Sequence, residues 1–162
     1  MENQSIEMKL RLERQFKNSM GWFFWIAGLS LINSICFLFD LGFNFVIGLG
    51  ITQIVDLFSY EFSYYYGNTA LIVGIIINII LIGIFIVFGK LANNGKKWAI
   101  ILGMIVLGLD TLVFIYIQDF ISIGFHIWVL YSIYKGIGAL KKLESMESIE
   151  VTENTEMFVE EI

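Results

Sequence analysis

The ten lysines and arginines of this chain occupy only three places, residues 1–17, 90–97 and 135–142. Residues 18–89 hold neither. Between the clusters lie apolar runs that reach the ~20 residues a helix needs to cross hydrocarbon. Loops rich in Lys and Arg stay on the cytoplasmic side of a membrane, so this segregation predicts both a multi-pass protein and its orientation.

Composition points the same way. The chain of 162 residues is 57% hydrophobic and 15% charged, and it contains no proline. Its mean hydropathy is +0.77. That length accommodates four spans and leaves little for an independent soluble domain. The formal charge of -5 comes largely from the C-terminal tail and opposes nucleic acid as a partner. Cys36 is the single cysteine, so it has no intrachain disulfide partner, and its place in an apolar run suits packing. The first apolar run starts at Gly21 or Trp22, is long for a signal-peptide core and lacks a small-x-small close, which predicts an uncleaved first span.

The predicted fold class is an all-α integral membrane protein with four transmembrane helices over 22–39, 70–89, 98–117 and 120–137. Trp22, Trp25 and Trp98 stand at positions suited to interfacial anchors. Asn93-Asn94-Gly95 marks a turn, and Gln118-Asp119 is so short a connection that the third and fourth spans must be antiparallel neighbours. Gly67-Asn68-Thr69 supplies a further turn with a candidate cap. The positive-inside rule then places residues 1–17, 90–97 and 135–142 inside, with both termini cytoplasmic, and 40–69 and Gln118-Asp119 outside.

Three flanking segments complete the prediction. In residues 1–20, Met8, Leu12, Phe16 and Met20 share a helical face and Lys9, Arg11, Arg14 and Lys17 cover much of the rest. This fits a cytoplasmic amphipathic interfacial helix, or a charged lead-in that continues the first span. Residues 43–66 are apolar enough to enter the membrane, yet a fifth full span would violate the charge rule. The expectation is therefore a re-entrant or outer-leaflet helix over 43–58, with 59–66 returning along the interface through Tyr60, Tyr64, Tyr65 and Tyr66. Residues 140–162 form a helical stem followed by an acidic tail of low order, with seven glutamates after Leu143.

Ionisable groups inside a span usually face a bundle interior or water. Two stand out, Asp110 in the third span and His126 in the fourth. At 1.5 Å per residue they lie about 10 Å and about 9 Å below the outer ends of their helices. Asn33 and Asn78 reach about 9 Å and about 12 Å in the first and second spans, so each span contributes to one polar layer. Thr52, Gln53 and Asp56 come from the helix that would roof it. The layer reads either as a hydrogen-bond network specifying the packing or as an outward-facing pocket.

Asp110 could orient His126 and raise its basicity, so that the pair relays protons, acts as a general base or contributes two metal ligands. Zinc normally takes three protein ligands, and only Asp56 or a second subunit could supply the third, so no metal site is assigned. No nucleophile elbow, HExxH, CxxC or phosphate-binding glycine loop occurs, and no motif marks a characterised family or a cofactor. Ala99-x-x-x-Gly103 and Ser132-x-x-x-Gly136 allow close helix approach, within the bundle or at a dimer seam.

Three functions follow as expectations for a multi-pass protein of a prokaryotic plasma membrane. The first is proton or cation transport or binding, as a homo-oligomer in contact with membrane lipids. The second is an accessory or structural subunit beside a partner membrane protein. The third is a membrane enzyme on a lipid-like substrate, with His126 and Asp110 as its catalytic groups.

Overall fold

The computed structural model describes residues 2–39 and 48–160, and in them the chain forms five α-helices. They are α1 (Glu2–Leu38), α2 (Gly50–Tyr66), α3 (Asn68–Asn93), α4 (Lys97–Tyr116) and α5 (Phe120–Glu160). Four of them, α1, α3, α4 and α5, are long and apolar enough to cross a membrane. Isoleucine, leucine and valine dominate α3 and α4, and half or more of the surface of Ile79, Ile80, Val87, Ile105, Leu109 and Leu112 is exposed. An apolar exterior of this extent is matched by lipid rather than water.

The four long helices form a ring in which α1 packs on α3 and α5, and α4 packs on the same two. Neighbours run antiparallel. Phe23 of α1 faces Phe85 and Gly89 of α3, whereas Ser34, three turns further along α1, faces Asn78. The turns between helices are built as the residue types require. Gly67 (φ 59°) joins α2 to α3 and Gly95 (φ 75°) joins α3 to α4, both in the left-handed region that glycine enters without strain. Between α4 and α5 that region is taken by Gln118 (φ 59°). Asp119 then caps α5, its carboxylate accepting the Ser122 backbone N–H at 3.1 Å and the Ser122 hydroxyl.

Small residues settle how closely the helices approach. Gly103 of α4 lies against the Phe23 ring, and Gly136 of α5 lies against Ser19 and Met20. Both small-residue seams foreseen on α4 and α5 thus receive α1 within the bundle. Phe16, Met20, Phe23 and Ile26 of α1 meet Ile82 and Phe85, Ile100 and Leu107, and Val129 and Ile133 in one buried core. Cys36 is buried as well.

Two helices extend well beyond the predicted spans, the first as the charged lead-in alternative describes. The amphipathic segment 1–20 and the first span are one uninterrupted helix, because no glycine or proline precedes Gly21 to break it. Phe16 and Met20 of its apolar stripe are buried and Leu12 packs against the core, while Met8 is exposed. The acidic tail is helical through Glu160, in a stretch that no Gly or Pro interrupts. At 1.5 Å per residue the 37 residues of α1 and the 41 of α5 measure about 56 Å and about 62 Å, well beyond a hydrocarbon core of ~30 Å. A Lys97–Glu144 ion pair of 2.6 Å ties the start of α4 to the projecting part of α5.

The segment between the first and second spans folds as α2, one continuous helix from Gly50 that is not interrupted at Ser59; the expected part 43–47 lies outside the described residues. It runs antiparallel to α3, with Ser59 against Gly74 and Asp56 against Asn78, and it also touches α1 and α4. Its first residues are buried between those helices, and its last, Tyr64, Tyr65 and Tyr66, are exposed.

Candidate functional site

A helix start leaves backbone N–H groups without intrahelical acceptors, and burying them unpaired is costly. The start of α2 is buried: Leu49 and Gly50 have almost no exposed surface. No residue of α2 itself caps it. The acceptors come from elsewhere in the bundle. Ser30 Oγ on α1 takes the Leu49 N–H at 2.7 Å. Asp110 on α4 takes the Gly50 N–H on Oδ2 and the Ile51 N–H on Oδ1, each at 2.9 Å. The carboxylate thus spans two successive donors at the positive end of the α2 dipole.

Gly50 suits this close approach. A Cβ there would lie 3.0 Å from both the Phe114 ring and a Val113 methyl of α4. At Gly48 a Cβ would meet the Asn33 amide nitrogen at 2.8 Å, which places buried Asn33 beside the strand of chain that leads into α2.

His126 completes this half of the site. The ring has no exposed surface and packs 4.8 Å, centroid to centroid, from Phe114. Nδ1 lies 2.9 Å from the Ser122 carbonyl oxygen and Nε2 lies 3.2 Å from Asp110 Oδ2. A carbonyl oxygen only accepts, so the Nδ1 position carries a hydrogen. The Nε2–Oδ2 contact then needs a second hydrogen, since a neutral ring protonated at Nδ1 and an ionised carboxylate would face each other as two acceptors. With a hydrogen on Nδ1, the Nε2–Oδ2 contact is a hydrogen bond when a proton is shared between the facing atoms, as carboxylate with imidazolium or as acid with imidazole.

One turn along α2 a second cluster forms. Asn78 Nδ2 on α3 donates to Asp56 Oδ1 at 2.7 Å and to Ser34 Oγ at 2.9 Å, with the Thr52 carbonyl at 3.5 Å. Ser34 Oγ in turn donates to Asp56 Oδ2 at 3.1 Å. Burial pushes the Asp56 carboxyl above its ordinary range, and the hydrogen bonds from Ser34 and Asn78 oppose that rise. Thr52 links the clusters, because its hydroxyl donates to the Leu49 carbonyl while its own carbonyl faces Asn78. Asn78 Oδ1 is buried and has no hydrogen-bond partner among the described residues.

Of the seven residues singled out in the sequence, the structure brings Asp110 and His126 into direct contact. Thr52, Asp56 and Asn78 meet in the adjoining cluster, and Asn33 is buried beside Gly48. Gln53 is half-buried and takes part in none of these bonds. Asp56 stays with Asn78 rather than joining the Asp–His pair. Among the described residues no three His, Cys, Asp or Glu side chains converge as a metal site would need.

Ser30, Ser34 and Ser122 were not anticipated, although Ser30, Asn33 and Ser34 stand at helical spacing on one face of α1 and could have been read as a polar stripe. Nor was the role of the α2 backbone, which carries no side-chain signal.

Beside α2 runs an apolar groove of about 410 Å³ between α2 and α3, bounded by Ile54, Phe58, Phe62, Ala70, Val73 and Ile77 among others. Neither His126 nor Asp110 lines it. No family model matches the chain, and neither a curated protein nor a solved structure resembles it significantly.

Proposed function

We propose that the chain is a multi-pass membrane protein, with both termini cytoplasmic, that binds a proton at Asp110–His126 as part of proton or cation transport, acting as a homo-oligomer in a prokaryotic plasma membrane. In this orientation α2 is a re-entrant helix whose N-terminus dips into the outer half of the bilayer. A buried helix start inside a membrane bundle is a recurrent element of ion and substrate sites in transporters. The observation that carries the reading is the buried 3.2 Å contact of His126 Nε2 with the Asp110 carboxylate that also holds the start of α2. Loss of the shared proton sets two acceptors 3.2 Å apart at the point that also holds α2. Proton binding and the seating of α2 are therefore coupled, which is what an alternating or gated site requires.

The test is proton and cation flux into proteoliposomes, comparing the native chain with Asp110→Asn at matched folding and orientation. Flux abolished by the substitution supports the proposal. No flux from well-folded native protein overturns it.

A second reading is favoured by a different observation. The polar groups are bonded to one another and to the start of α2, as suits an accessory subunit whose polar layer specifies packing. In that case Asp110→Asn alters stability while the activity of the complex persists. An enzyme on a lipid-like substrate draws less support, because the apolar groove beside α2 is not lined by His126.

A further inference from the structure

The end of the bundle that carries the basic residues holds a cleft unlike the other grooves. It lies between α1 and α5, encloses about 600 Å³, and is lined by Arg11, Arg14 and Asn18 of α1 with Ser132 and Lys135 of α5, while Trp22 forms its deep edge. No acidic side chain lines it among the described residues. Arg11 reaches Glu7 at 3.8 Å, but both side chains are largely exposed, and such pairs contribute ~0–1 kcal/mol. A second cleft adjoins it, shares Lys135 and adds Lys141 and Lys142. Three cations converge here although the whole chain has a net charge of -5.

The chemistry changes with depth. At the shallow level are two guanidiniums and an ammonium, with the amides of Gln15 and Asn18 and the hydroxyls of Ser19 and Ser132 as further polar groups. Guanidinium presents a planar fork of donors that matches phosphate oxygens. At the deep level Trp22 packs edge-on against Trp128 at 4.6 Å and Phe125 at 5.8 Å, and Trp128 remains half exposed on the outside of the bundle. Lys135 Nζ sits 4.7 Å over the Tyr131 ring. Cationic side chains above an aromatic, lipid-facing floor suit an amphipathic anion whose charged head and apolar body are joined end to end.

We infer that the α1–α5 cleft is a binding site for the phosphate of an anionic phospholipid, held by Arg11, Arg14 and Lys135 with the acyl chains running past Trp22 and Trp128. A soluble phosphate shares the head chemistry but makes no use of the aromatic floor. The site is independent of the proton reading, since none of its residues belongs to the Asp110 network. Each Lys or Arg near an anionic lipid surface contributes ~1 kcal/mol, about fivefold in affinity.

The experiment uses the full chain in neutral detergent and native mass spectrometry, with dioleoylphosphatidylglycerol and dioleoylphosphatidylcholine as probes. The expected result is preferential retention of phosphatidylglycerol, reduced roughly tenfold or more in the double variant Arg14→Gln/Lys135→Gln. Both of these side chains are exposed, so the fold is retained. Lys90→Gln/Lys96→Gln removes the same charge at the α3–α4 connection and is expected to leave retention unchanged. Equal retention of the two lipids, or equal loss in both double variants, would overturn the site. Displacement of phosphatidylglycerol by millimolar inorganic phosphate would overturn the lipid assignment and reassign the cleft to a soluble phosphate.

Discussion

Asp110 Oδ2 accepts the backbone N–H of Gly50 at 2.9 Å across 60 residues of sequence. A carboxylate on one helix thereby serves as the N-cap of another, and the same oxygen faces His126 Nε2 at 3.2 Å. Capping, the contact with His126 and the burial of α2 are consequently one interaction. Asp110→Ala should remove all three and leave His126 buried without its partner, at a cost of about 3–5 kcal/mol. Thermal unfolding in detergent measures the loss, and hydrogen exchange should show it first at the Gly50 and Ile51 amides. Unchanged exchange at those amides would exclude the capping role.

Asp56 predicts a dependence on pH. Burial raises its carboxyl above the ordinary value, so the folded state favours the protonated form. The contribution of Asp56 to stability is thus full below the ordinary carboxylate range and is lost as pH rises through the raised value. Asp56→Asn keeps an acceptor for Asn78 and turns an amide donor toward Ser34, whose hydroxyl then accepts where it donated, without a charge. It should be at least as stable as the native chain at neutral pH and should lose this pH dependence, both readable from unfolding midpoints between pH 4 and 8.

Gly74 governs the seating of α2 on α3. A Cβ at this position would collide with the Ser59 hydroxyl, whose own bond, to the Val55 carbonyl, is internal to α2. Overpacking of this kind typically costs about 1–3 kcal/mol. Gly74→Ala should lower the unfolding midpoint, and Ser59→Ala in the same chain should recover part of the loss. Additive effects of the two substitutions would show that the contact does not hold α2.

Orientation is open to direct labelling. With Cys36→Ser as background, single cysteines at Asn68 and Asn94 should react with an impermeant maleimide from opposite sides, Asn68 from outside and Asn94 from inside. Outside labelling at Asn94 would reverse the proposed topology, and with it the side from which Asp110 meets protons.

The polar layer was legible in part. Asp110 and His126 were placed at one depth by helix rise and by the two-residue connection Gln118-Asp119, and they do touch. Asn78 and Asp56 were drawn into the same pocket, but they form a separate cluster one turn away. A register along α2 could not be read while the start of that helix was unknown. Its start is set by Gly50 fitting against Phe114 and Val113, a matter of steric contact between segments distant in sequence.

The sequence by itself determined that four helices are long and apolar enough to cross a membrane, and where their apolar stretches lie. Both depend on the transfer of consecutive side chains from water to lipid, which is additive along the chain and needs no knowledge of neighbours. Only the tertiary structure decided what the buried polar groups do. Whether Asp110 lines a cavity, binds an ion or caps a helix depends on which donors come within 3 Å of it, and here those donors are backbone N–H groups that every residue other than proline carries alike. Their availability arises from where α2 begins and how deeply it is buried, and that depth results from the packing of α2 on α1, α3 and α4 together.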